Sequence, residues 1–497
     1  MRRISLYLAL AVSCLLVLAA CGGKSKSSSA SSSSNGSSSA AGAEIAPASA
    51  SLFVSINTDS TGAQWKQAMQ LLTRVPSLQT SLDKSLSSSG ITLADIEAAM
   101  GPTTVAVQFG TSAKPTEVTL TDPKDSAKLK SLLAKDKTKK SVTTEIGSWL
   151  AIAKSQAALD EFKTAAAGGK LADSANFKSA IAGVPADALV KAYFKGSAIN
   201  SAALSSLGST STTSTSTTSS SSSMSKALSS AMASNQLEWG TVAVSAVPKG
   251  LSIDGVFKGK TSVTNASSSL IDQLPGATSF AVDLNGKTLG LDKAVKNLRN
   301  NKKYASQIPQ IEAVLGVKLD DLATLAGSEM SIYGTESGIG VLIKAQDAAK
   351  TKAMLDKAVT LLSAQMNGAS KSISVAGVQA TELTFGTTKI DFGVKDGNLF
   401  IVTDASALPG GAKLTSDPAY KAAAAGLSIP SSNLGVAYID FTKLAALSKS
   451  GSSIVKSLGS SSGSSANLNN LEGLSSLLGY ATANGDKFEL KGLLSTK

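Results

Sequence analysis

The chain has no histidine, and that absence excludes more chemistry than any other compositional fact. Imidazole is the commonest general base, the activator of Ser and Cys nucleophiles, and the usual nitrogen ligand of zinc. Cysteine occurs twice, as Cys14 and Cys21, so disulfides and thiol chemistry are excluded from residue 22 onward. Arginine occurs only as Arg2, Arg3, Arg74 and Arg299, and aromatic residues make up 4%. The net charge of +12 is therefore carried by lysine, a hydrated point charge, rather than by the planar guanidinium that grips phosphate bidentately. With few rings to stack on bases, nucleic acid is not expected as a partner. A lysine-rich face turned to an anionic envelope surface is one reading of the charge, and general solubility is the other.

What is present begins at the N-terminus. Arg2 and Arg3 precede a nearly unbroken apolar run, Ile4 to Ala20, short for a membrane span and suited to the core of a signal peptide. Leu18-Ala19-Ala20-Cys21 then has the form of a bacterial lipobox. This predicts cleavage after residue 20 and a lipidated Cys21, whose acyl chains contribute ~0.8 kcal/mol per buried methylene and hold the chain to a membrane. The alternatives are a secretory signal with a chance cysteine, or an uncleaved N-terminal anchor. Residues 21–44 are rich in Ser and Gly, bury nothing, and read as a flexible tether spanning ~25 Å. The expected location is the outer face of the cell membrane, with the membrane itself as a partner through Cys21.

The remainder repeats itself. "SLFVSIN" (51–57) faces "SFAVDLN" (279–285), and "GITLADIEAAMG" (90–101) faces "GVKLDDLATLAG" (316–327). "KLADSANFKSAIAG" (170–183) faces "KLTSDPAYKAAAAG" (413–426), and "LVKAYF" (189–194) faces "LGVAYI" (434–439). Last, "LSIDGVF" (251–257) faces "FELKGLL" (488–494). Matching blocks in one order predict two homologous units, 45–260 and 270–497. Each carries a serine-rich insertion, 205–223 and 459–466, of a composition that reads as loop, glycosylated or plain.

Val105, Val107 and Phe109 alternate as in a half-buried strand, as do Ile390, Phe392 and Val394. Ala483-Asn484-Gly485-Asp486 is a hairpin signal, and Val247 to Gly250 holds the same place in the first unit. Asp122-Pro123 and Asp347 read as helix starts, and Thr92 with Asp95 as a capping box closed by Gly101. The expected fold class is α+β, two homologous halves, each an antiparallel sheet with amphipathic helices on one face.

The lipobox, the serine tether, "APASASLFVSIN" (46–57), "VPADALVKAYF" (184–194) and "LPGATSFAVDLN" (274–285) together resemble a group of uncharacterised actinobacterial lipoproteins with a shared domain of unknown function. The resemblance implies an exported, membrane-tethered α+β protein and brings no catalytic residues with it.

Chemical motifs are thin. "GSSSG" around Ser461 formally fits a nucleophile elbow but lies in a serine tract with no histidine to serve it. Ser223 to Lys226 fits Ser-x-x-Lys, a pattern that arises freely in so Ser- and Lys-rich a chain. Asp320 and Asp321 are adjacent on a helix and point apart, so a helix-start role fits them better than a dyad. No catalytic residue, metal ligand or cofactor is assigned. Tyr193 and Tyr438, at equivalent strand positions, are core residues or candidates for lining an apolar pocket. The functional expectation is a non-enzymatic binding or scaffold module of the envelope, with an apolar or envelope ligand as a further partner. The alternative is an envelope hydrolase whose carboxylate or Ser-Lys site the sequence does not display.

Overall fold

The computed structural model describes residues 40–497 except 88–89, 112–113, 136–140, 197–236, 261, 289, 301–304, 307, 316, 366–367, 376, 387 and 450–471. Its strands are, in chain order, β1 (Leu52–Asn57), β2 (Thr103–Thr111), β3 (Lys114–Thr121), β4 (Val142–Ile146), β5 (Trp149–Ala153), β6 (Val190–Lys195), β7 (Leu237–Val247) and β8 (Gly250–Gly259). The short β9 (Ala266–Ser267) leads to β10 (Phe280–Asn285), β11 (Glu329–Gly334), β12 (Ile339–Lys344), β13 (Ala369–Val375), β14 (Val378–Phe385) and β15 (Thr388–Lys395). Then come β16 (Asn398–Val402), the short β17 (Ser432–Asn433), β18 (Gly435–Asp440), β19 (Leu474–Asn484) and β20 (Lys487–Thr496).

The expectation of two α+β halves, each with its own sheet under helices on one face, is overturned. All strands but β9 and β17 join one 18-stranded sheet, and every pairing in it is antiparallel. The pairings run β4-β5-β3-β2-β1-β6-β7-β8, then β20-β19-β18-β10-β11-β12-β16-β15-β14-β13. The decisive contact is β8 with β20. Each would otherwise expose a long row of unpaired backbone groups at a sheet edge, and each removes that liability for the other. Leu251 pairs with Leu494, Asp254 with Lys491 and Phe257 with Phe488.

Both faces are covered, which is the second departure from expectation. Adjacent β1 residues feed opposite cores. Phe53 packs with Val105, Val107, Phe162, Phe177 and Tyr193, and Val54 with Ile56, Val190, Ala192 and Val244. Helices Gln156–Ala167 and Ala175–Ile181 supply Phe162 and Phe177 to the first core. Helix Ser126–Lys135 places Leu129 and Leu132 over Leu150 and Ile152 on the other face. This explains why β5 and β18 read as nearly unbroken apolar runs instead of alternating. Phe441, at the start of helix Phe441–Lys449, packs against Phe194, Val242 and Ile253, so one core spans the β8–β20 seam.

Local contacts recur between the matching sequence blocks. Leu171 donates to the Ala46 carbonyl and Leu414 to that of Leu274, both at 2.8 Å. Isolated bridges join Pro47 to Lys170 and Pro275 to Lys413. Packing already begins at Ala40. Ala40 and Ala43 are buried in the first core, ahead of the boundary expected at residue 45.

Several local readings hold. Thr92 and Asp95 make a capping box, Asp347 receives the Lys350 amide, and Asn484 pairs with Lys487 across a two-residue turn with Gly485 at φ +64°. The helix expected from Asp122-Pro123 instead starts at Ser126, capped by Asp125, which accepts from the Lys128 amide at 2.8 Å. No helix among the described residues is long and apolar enough to cross a membrane.

Candidate functional site

Leu18, Ala19, Ala20 and Cys21, together with Ser223, Lys226 and Ser461, lie outside the described residues. Asp320 and Asp321 sit in the first turn of helix Leu319–Ala326, where Asp321 pairs with Lys350 at 2.7 Å.

Tyr193 and Tyr438 are fully buried and packed rather than poised at a pocket. Tyr193 meets Phe177 edge-on at 5.2 Å, and Tyr438 meets Tyr420 the same way at 5.2 Å. Such contacts contribute about 0.5–1.5 kcal/mol beyond area burial. The Tyr193 hydroxyl has no hydrogen-bond partner among the described residues, and burial pushes it up to about 12. Burial, then the nearby Asp440 and Asp417, hold the Tyr438 hydroxyl protonated well above the ordinary range.

The polar chemistry concentrates elsewhere, in a nest that sequence reasoning missed. On β10 and β11, Asp283 faces Ser331 and Asn285 faces Glu329, so all four lie on one face of the sheet. The segment between β8 and β10 crosses this face. There β9 pairs with β17, Asn433 opposite Ala266. Ser268 Oγ donates to Asp283 Oδ2 at 2.6 Å, and Ser331 Oγ to Oδ1 at 3.0 Å. Glu329 accepts from the Leu270 amide at 2.7 Å, from Ser269 Oγ at 2.9 Å, and from the Ser269 amide. Lys344 Nζ reaches Glu329 at 3.4 Å. Asp283 and Glu329 are 1% and 3% exposed, so these bonds replace water that the carboxylates have lost.

Burial pushes the Asp283 carboxyl up to about 7, and the neighbouring Glu329 charge adds to the rise. The Ser268 and Ser331 hydroxyls and the Ile271 amide oppose it. No lysine or arginine among the described residues makes an ion pair with Asp283. Beside it lies a shallow depression too small to hold a water molecule, lined by Ser268, Asp283, Asn285, Glu329 and Asn433 among others. Ser55 stands in the block 51–57 where Asp283 stands in 279–285, and Thr103, paired with Asn57, stands where Glu329 pairs with Asn285. The acidic nest is thus particular to one half, and a comparison of the two blocks is the signal that would have found it.

A second polar cluster fixes Lys443. Its ammonium donates to the Gly276 carbonyl at 2.7 Å, Asp417 Oδ2 at 2.9 Å and the Thr278 carbonyl at 3.3 Å, with Asp440 Oδ2 at 3.7 Å. Asp440 also accepts from the Thr442 and Lys443 amides, and Asp417 caps helix Pro418–Ala425. Every group in this cluster is engaged in fastening chain ends together. No group of three or more His, Cys, Asp or Glu that would hold a metal occurs among the described residues.

Against known families, residues 111–478 match the model of a protein family of unknown function, DUF3352. The chain belongs to the DUF3352 family. The matched span starts at the last residue of β2 and ends within β19, ahead of β20. No curated protein and no solved structure matches the chain.

Proposed function

We propose that this DUF3352 protein is a non-enzymatic scaffold of the cell envelope, held to the outer face of the membrane by lipid on Cys21. On this reading residues 22–39 form the link to a rigid body, and the two halves are copies of one ancestral unit. The repeated contacts around Pro47 and Pro275, and the repeated strand order out from β8 and β20, support the duplication.

The observation that carries the scaffold reading is how the interior is filled. The buried carboxylates with partners are spent on fastening loops and helix starts, and Tyr193 and Tyr438 are packed ring against ring. A carrier of apolar molecules needs a cavity of about 300–1,000 Å³, whereas the depression beside Asp283 has no room for a single water molecule. A hydrolase needs carboxylates facing a groove, with room for substrate between them.

Labelling of growing cells with radioactive palmitate, followed by fractionation, tests the anchor. Label and membrane retention are expected for the native chain, with both lost in Cys21→Ser. Native mass spectrometry of the delipidated body tests the scaffold. A co-purifying apolar molecule, or turnover of envelope glycan or peptide by the purified chain, would overturn it.

A further inference from the structure

Residues 268–271 are fastened to the sheet through two carboxylates. Asp283 takes the Ser268 hydroxyl at 2.6 Å and the Ile271 amide. Glu329 takes the Leu270 amide at 2.7 Å, the Ser269 hydroxyl at 2.9 Å and the Ser269 amide. The two acids are diagonal neighbours across β10 and β11, ~7–8 Å apart along the backbone and on one face. Both are buried, and the one lysine among the described residues that touches either is Lys344. It is half exposed, reaches Glu329 at 3.4 Å and donates to Ser269 Oγ at 2.9 Å. One cation for two buried acids leaves one charge to be removed another way, and a proton is what a buried carboxylate takes up.

The hydrogen-bond partners decide which acid carries that proton. On Glu329 it would face a group that only donates at either oxygen: backbone amides at Oε1 and the Lys344 ammonium at Oε2. Asp283 faces hydroxyls. Ser268 Oγ accepts as readily as it donates, so its bond to Oδ2 survives protonation with the direction reversed, and Oδ1 still accepts from Ser331 Oγ at 3.0 Å. The other titratable groups around Asp283 are Asp272, in the turn Ile271–Gln273 and near Lys413, and Tyr420 on helix Pro418–Ala425. Val436, opposite Asp283 on β18, is apolar.

We propose that Asp283 is a proton-operated catch for residues 268–271, closed while the acid is neutral and loosened when it ionises beside Glu329. Opening brings the carboxyl to water, where it ionises in the ordinary range, so opening releases a proton wherever the closed form still holds one. With the closed form raised to about 7 by burial, that window runs from about pH 4 to about pH 7. The catch therefore holds firmest in acid, slackens by about tenfold per pH unit across the window, and is loosest above it. The residues it holds carry the chain from β8 to β10, so acidity sets how firmly that crossing is strapped to the sheet. The first half, with Ser55 in the place of Asp283, has no such control.

Hydrogen-exchange mass spectrometry of the intact chain at about pH 5 and about pH 7, corrected for the pH dependence of exchange in unstructured peptide, tests this. Peptides covering 266–274 report the catch. Those around Leu171, whose amide donates to the Ala46 carbonyl in the first half, report the fold as a whole. Protection of the Ser269 and Leu270 amides is expected to fall at least about tenfold from the lower pH to the higher, while that of Leu171 changes less than about threefold. In Asp283→Asn, which keeps the shape and cannot ionise, the fall disappears. Should that variant fail to fold, Asp283→Ser places there the residue that the first half carries as Ser55 and serves the same end. Equal protection at the two pH values in the native chain, an equal fall at Leu171, or a fall that persists in the folded variant would overturn the proposal.

Discussion

Asp254 and Lys491 stand opposite each other at the middle of the β8–β20 pairing, with Lys491 Nζ 3.3 Å from Asp254 Oδ1. In the matching blocks "LSIDGVF" and "FELKGLL" the two residues occupy the same position. The pairing is therefore self-complementary about this point: Leu251 meets Leu494, and Phe488 meets Phe257. Two identical units meeting this way would set like charge against like at the centre. Having Asp on one side and Lys on the other turns that repulsion into an ion pair at 8% and 21% side-chain exposure.

Breaking this pair from one side leaves a buried charge uncompensated. Lys491→Met is expected to cost about 3 kcal/mol, and the exchange Asp254→Lys with Lys491→Asp to recover part of the loss. Urea unfolding of the single variants and the exchange, read as a double-mutant cycle, checks this. Equal losses in single and exchanged proteins would show the pair to be idle.

Two buried tyrosines should respond oppositely to loss of the hydroxyl. Tyr333 donates to the Ala407 carbonyl at 2.6 Å, so Tyr333→Phe costs about 1 kcal/mol. Tyr193 has no hydrogen-bond partner among the described residues, so Tyr193→Phe is expected to be neutral or stabilising by up to about 1 kcal/mol. The Tyr193 hydroxyl is raised to about 12 in the fold against about 10 in the unfolded chain. Its contribution is complete below pH 10 and is lost as pH climbs toward 12, because the unfolded chain ionises first. Alkaline unfolding midpoints of the native chain and Tyr193→Phe should therefore diverge above pH 10.

Lys443 holds Asp417 and Asp440 together with the Gly276 and Thr278 carbonyls. Lys443→Met is expected to cost about 3 kcal/mol by leaving both carboxylates without their cation. Burial works to raise the Asp417 carboxyl, but the Lys443 ammonium and the Tyr420 and Ala419 amides overcome it and set it below the ordinary range. A lowered carboxyl stabilises the fold above its unfolded value and loses that contribution as pH falls through the folded one. Thermal melts from pH 6 down to pH 3 should show a smaller acid loss in Lys443→Met than in the native chain.

Two glycines on paired strands sit beneath aromatic rings. A Cβ on Gly240 would come within 2.2 Å of the Phe194 ring, and one on Gly334 within 2.1 Å of the Phe280 ring. Gly334→Ala must displace Phe280, and a cost of about 1–3 kcal/mol is expected from overpacking. Gly485→Ala meets no atom but loses a left-handed turn residue, costing about 1 kcal/mol. The ratio of these two costs, taken from denaturant midpoints, separates packing from backbone strain.

Sequence patterns carried the local structure and failed at long range. Alternation at Val105, Val107 and Phe109, the Asn484-Gly485 hairpin and the Thr92–Asp95 box were legible because each depends on neighbours in the chain. The seam was not, because "LSIDGVF" reads the same whether its strand ends a sheet or lies at its middle. Asp122 and Asp125 both precede the same helix and either suits a turn, so the sequence alone does not tell that Asp125 is the cap. The acidic nest was hidden for another reason. Asp283 and Glu329 lie in ordinary strand patterns, and Asn433 precedes β18 without any motif. Tyr193 and Tyr438 were correctly placed as equivalent strand positions, but a strand pattern does not tell a packed ring from one facing a cavity.

The strand at the middle of the sheet, β20, follows every other strand of that sheet in chain order. During synthesis from the N-terminal side, β8 must wait with an open flank until the residues up to Thr496 have emerged. Until Lys487–Thr496 arrives there are two partial sheets and no whole one. The nascent chain is then most exposed to mispairing with its neighbours, and a helper protein that shields β8 would act in that interval.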